Sequence, residues 1–65
     1  MWVEITGYKY PYRVNEHAVI QKQKETGEWV EISQWVSGHI VVVNLRTTDG
    51  KQKRITVSTI MDKAF

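Results

Sequence analysis

Residues 39–57, HIVVVNLRTTDGKQKRITV, hold a β-branched run, an Asp-Gly pair and a second β-branched run. Asp-Gly between two such runs turns a chain back on itself, because glycine accepts the positive φ that a tight hairpin turn demands. His39 to Arg46 and Lys51 to Val57 are therefore expected to pair as antiparallel strands across Asp49-Gly50. In a chain of only 65 residues, one hairpin of this length leaves room for little beyond its immediate neighbours.

The rest of the chain repeats the pattern. Trp2 to Thr6 is rich in β-branched and aromatic residues and stops at Gly7, and Tyr12 to Asn15 follows Pro11, a residue at home at strand starts and sheet edges. Ala18 to Lys24 and Glu28 to Ser33 flank Thr26-Gly27 and read as another hairpin. Ser33 to Gly38 reads as a loop. After Val57 the period changes. In STIMDKAF, Ser58 or Thr59 is placed to cap a helix, with Asp62 three residues beyond Thr59 as in a capping box. Ile60 with Ala64, and Met61 with Phe65, then share a helical face. A helix of one or two turns does not stand alone, so that face is expected to dock on the sheet with Phe65 in the core. The expected fold is a single small domain over residues 1–65, mainly β (α+β), an antiparallel sheet built from hairpins with one short C-terminal helix.

A domain of this size buries only about 60% of its unfolded surface and needs a staple or bulky side chains. There is no cysteine, so neither a disulfide nor a thiolate zinc site is available. The aromatic residues are then the natural core mass. In WVEITGYKYPYRV, residues 2–14, this assigns some of Tyr8, Tyr10 and Tyr12 to the core beside Trp2, with one ring left wet; Trp29 and Trp35 are expected as core or sheet cover. The alternative is a stacking platform, in which the tyrosines, with Lys9 and Arg13 nearby, hold the bases of a single strand.

The longest apolar run, Ile40 to Val43, is far shorter than the roughly 20 residues that span a bilayer, so no membrane role is expected. No basic segment followed by an apolar core opens the chain, and a cytoplasmic location is expected. His17 and His39 lack carboxylate or histidine partners at metal-ligand spacing, and no serine sits in a nucleophile elbow, so neither enzyme activity, metal nor cofactor is expected.

Charge is less even than the net value of +2 suggests. Arg46 to Arg54 holds four of the nine basic residues against one acid, all near the second hairpin tip. Two readings stand side by side: a ribbon that lies along a phosphate backbone or enters a major groove, or lysines that guard a sheet edge against aggregation.

The spacing W-x-x-I-x-G-Y-x-x-x-Y-x-V, carried by Trp2, Ile5, Gly7, Tyr8, Tyr12 and Val14, resembles the start of the type-four nuclease-associated modular domain of HNH homing endonucleases. Gly38, Val43 and Leu45, with a spacing one position longer than the family's G-x-x-x-V-x-L, and Gly50 fit its middle, and Val57, Ile60, Ala64 and Phe65 fit the V-H-R-L-V-A-x-A-F segment that precedes the nuclease site. Where the family has an S-N-x-G-x-V turn this chain has Asn15, Glu16, Ala18 and Ile20, so the turn glycine is gone, and the family histidine is replaced by Ser58. The resemblance implies a non-catalytic module that holds duplex DNA, ending before the residues that would cut it. Arg46, Lys51, Lys53 and Arg54 would contact phosphate, with Lys9, Arg13, Lys22 and Lys24 as secondary contacts. The rival expectation is a small phage or mobile-element protein whose sheet edges and exposed aromatics bind a host protein or a second copy of itself.

Overall fold

The computed structural model covers residues 1–65 and is mainly antiparallel β. Strands β1 (Trp2–Ile5), β2 (Tyr12–Asn15), β3 (Ile20–Gln23) and β4 (Trp29–Glu31) form one sheet in chain order. Strands β5 (Trp35–Ser37), β6 (Ile40–Arg46) and β7 (Gln52–Thr56) form a second, also in chain order. Helix α1 (Val57–Ala64) follows directly and packs on β1, β6 and β7. No helix is long and apolar enough to cross a membrane.

Three of the turns use one device. Asn15, Lys24 and Thr47 each donate a backbone N–H to the carbonyl four residues on, at 3.1, 2.8 and 2.7 Å, and each accepts from the residue three on, at 3.0, 2.9 and 2.9 Å. The result is a three-residue loop whose last residue must adopt positive φ. Gly27 and Gly50 fill that place with φ of +92° and +87°. In the β2–β3 turn it falls to Ala18, at φ +63°. The Asn15 side chain compensates: its Oδ1 accepts from the N–H groups of His17 and Val19 at 2.9 and 3.0 Å. Left-handed alanine is strained by its Cβ, whereas glycine is not. Ala18→Gly is therefore expected to stabilise the domain by about 1 kcal/mol, raising Tm by roughly 4–8 °C. An unchanged or lowered melting temperature would mean that the strain lies elsewhere.

The core lies between the two sheets and the helix. Tyr12, Val14, Ile20, Val43, Leu45, Val57 and Ile60 form one buried cluster, with Val3, Ile5, Tyr8, Tyr10 and Ile55 packed against it. Side chains alternate along each strand, so Val14 and Ile20 face inward while Arg13 and Gln21 face out. Tyr12 ties the layers together, its Oη accepting the Arg46 backbone N–H at 2.9 Å. Nearby, Lys9 N–H donates to the Arg46 carbonyl at 2.9 Å and Tyr8 bridges to Thr47.

Four expectations need correction. Ser33 to Gly38 is not all loop: Trp35–Ser37 is β5, paired with Ile40–Val42. Gly38 alone of the two central residues, Gly38 and His39, has positive φ, the arrangement of a type II′ turn, and a three-residue strand is too short to show alternation in sequence. The helix starts at Val57 with Thr56 at its N-cap and no side-chain cap bond, so Ser58 and Thr59 lie in its first turn and cap nothing. Phe65 is 55% exposed, and Val57 and Ile60 supply the helix's fully buried residues. Trp2 is not core: it is 40% exposed and lies on the outer face of the first sheet, because its neighbour Val3 pairs with inward-facing Val14.

Candidate nucleic-acid interface

The basic hairpin obeys the period of two, and that divides it. Residues paired across antiparallel strands share a face. Arg46 pairs with Gln52, and Asn44 with Arg54; Leu45 pairs with Lys53, and Lys51 stands opposite Thr47. Arg46 and Arg54 therefore project from one side, together with Asn44 and Gln52, whose amides meet at 3.5 Å. Lys51 and Lys53 project from the other.

The Arg46 side meets a second group of cations that comes from the first sheet. Lys22 pairs with Tyr12 in the β2–β3 ladder, and its Nζ lies 3.9 Å from the centre of the Tyr10 ring. Lys9 Nζ approaches the same ring at 5.6 Å. Tyr10 in turn stands edge-on to Tyr12 at 6.5 Å between ring centres, and Tyr8 stands edge-on to Tyr12 at 5.9 Å. Between the sheets this leaves a cleft of about 180 Å³ lined by Tyr10, Tyr12, Lys22, Ile32, Asn44, Arg46 and Gln52. None of them is acidic. Arg46 is partly occupied: its Nη1 donates to the Gly50 carbonyl at 2.7 Å, one of five N–H donors, which holds the guanidinium over the turn.

The remaining candidates lie elsewhere. Arg13 is on the outer face of the first sheet, its guanidinium carbon 4.3 Å from the Trp2 ring centre and 4.2 Å from that of Trp29, while its Nε donates to Gln21 Oε1 at 2.8 Å. The row across the strands reads Glu4, Arg13, Gln21, Glu31. Glu4 directly opposite Arg13, and the guanidinium already held between two rings, make this a poor seat for phosphate and a good brace for the sheet, since a cation between two indoles gains on both sides. Lys24 is in the β3–β4 turn, next in sequence to Glu25 and close to Glu28.

Two of the acids are held by hydrogen bonds, Asp49 in the turn of the basic hairpin and Glu16 in the β2–β3 turn. The Asp49 carboxylate accepts from the Thr47 hydroxyl and from the Lys51 N–H, which together hold its pKa below the usual aspartate value. Glu16 is held low in the same way, chiefly by its hydrogen bond with the N-terminal ammonium, 2.6 Å away. The two histidines are exposed, and no group of three His, Asp or Glu side chains is placed to hold a metal ion.

Of the eight basic candidates, Lys22 and Arg46 line the Tyr10 cleft, Lys9 reaches the Tyr10 ring and Arg54 shares the Arg46 side of the hairpin, while Lys51, Lys53, Lys24 and Arg13 lie elsewhere. Asn44 and Gln52 escape sequence reasoning because neither is charged, although the register of β6 and β7 places both beside Arg46 and Arg54 once the turn is known. No family model, curated protein or solved structure matches this chain.

Proposed function

We propose that this protein is a non-catalytic DNA-binding module of the cytoplasm, similar to the sheet domain that HNH homing endonucleases use to hold their substrate. The observation that carries the reading is the acid-free cleft at which Lys22 and Arg46 converge from two different sheets around Tyr10, with Lys9 and Arg54 at its margin. Four cations on one side of a small domain suit a duplex backbone, which binds through neutralised phosphates and released counterions. Asn44 and Gln52, between the arginines, carry the donors and acceptors with which a protein reads base edges.

Titration against duplex DNA at several salt concentrations tests the reading. With about four phosphate contacts, log K is expected to fall against log salt with a slope of roughly −3.6. No detectable binding at low salt, or binding indifferent to salt, rules the assignment out.

A further inference from the structure

We infer that the free edge of β5 pairs with β5 of a second copy of this chain, joining two three-stranded sheets into one of six strands. The inference is independent of the DNA reading.

Four strand edges are open: β1 and β4 in the first sheet, β5 and β7 in the second. Exposed edges invite pairing, and proteins discourage it with charge. Three of these edges carry it, as Glu4 on β1, Glu31 on β4, and Lys53 and Arg54 on β7. Trp35-Val36-Ser37 carries none, nor does any residue from Ile32 to Leu45 apart from the titratable His39. In a chain that is 25% charged, this is also where exposed apolar side chains gather: Trp35, Val36, Ile40 and Val41 are exposed by 40, 68, 48 and 41%.

The register makes the edge complementary to itself. The two-residue turn at Gly38-His39 makes Ser37 and Ile40 a hydrogen-bonded pair, so Val36 and Val41 form the next, non-hydrogen-bonded pair. The N–H and C=O of Val36 therefore point away from β6, toward open solvent. Two copies related by a twofold axis at Val36 exchange both of these bonds, which fixes the alignment: Val36 faces its own copy, and Trp35 faces Ser37. One side of the joined sheet then carries a row of four valines, Val41 and Val36 from each chain. On the other side, the small Ser37 leaves the partner's indole room to reach across to Ile40. Large meets small, apolar meets apolar, and no charge opposes another. Because the axis consumes both β5 edges, the assembly closes at two.

The contact is short, so association is expected in the micromolar to millimolar range where small interfaces work. Sedimentation of the whole chain over that range is expected to show a monomer–dimer equilibrium that added salt does not weaken. Val36→Lys, which sets two ammonium groups face to face on the axis, is expected to stay monomeric while keeping the wild-type circular dichroism spectrum. A second variant covers the case in which lysine disturbs folding. The chain has no cysteine of its own, and facing residues in a hydrogen-bonded pair have Cα atoms about 5.5 Å apart, within disulfide reach. Val36→Cys is expected to cross-link under mild oxidation at concentrations where Ser58→Cys, on the exposed helix surface, does not. A wild-type chain that remains monomeric throughout, or equal cross-linking of the two cysteine variants, overturns the inference.

Discussion

Leu45→Ala is expected to destabilise the domain by about 3–4 kcal/mol, the cost of lost burial plus an unfilled cavity. Leu45 is fully buried and belongs to the cluster that spans both sheets and the helix, so no single element can relax to fill the gap. A chain of 65 residues commands about 3–10 kcal/mol of net stability, at about 0.05–0.15 kcal/mol per residue. Denaturant unfolding should therefore find a third or more of that stability gone and the midpoint lowered in proportion. Phe65→Ala is the contrasting control. More than half of that side chain is in water, and its removal is expected to change stability by no more than about 0.5 kcal/mol. If the terminal phenylalanine proved as costly as the leucine, the sheets and helix would have to meet around a different centre.

The second large effect concerns the two faces of the basic hairpin. Lys9, Lys22 and Arg54 replaced together by glutamine remove three cations from the Tyr10 side and leave the Arg46 clamp on Gly50 in place. Each lost phosphate contact removes about 0.9 from the salt slope, so duplex affinity near 0.1 M salt should fall roughly 10²–10³-fold and the slope should approach −1. Lys51 and Lys53 replaced together are expected to weaken binding far less, because they face away from the cleft. Exposed charges add little to stability, so both variants should melt close to the wild type. Equal losses from the two variants, or a larger loss from Lys51 and Lys53, would move any DNA contact to the hairpin tip and empty the cleft of its assigned role.

The division between Arg46 with Arg54 and Lys51 with Lys53 also shows how sequence and structure share the information. In sequence these are four basic residues within nine positions. Their separation follows from the Thr47–Lys51 closure of the turn, which decides the parity of every residue after it. The Asp49-Gly50 signal announces a turn, yet two- and three-residue loops give opposite parity. Arg13 was equally unreadable as a brace: Trp2 and Trp29, eleven and sixteen residues away in the chain, become its neighbours only when the four strands β1 to β4 stand side by side.

The chain's own residues announce a mainly antiparallel β domain with a short terminal helix, and they place the glycine turns that separate its strands, because turn chemistry and side-chain alternation act between neighbours. They also assign part of the tyrosine cluster at residues 8–12 to the core, of which Tyr12 is the ring fully covered. Whether an apolar residue is finally covered depends on what arrives from far along the chain. The arrival of α1 buries Val57 and Ile60 but passes Phe65 by, and nothing arrives over Trp35 and Val36. The meeting of Lys22 and Arg46 at Tyr10 is of the same kind: it needs the two sheets brought together, joined through the Tyr12 hydroxyl, and no local rule contains that contact.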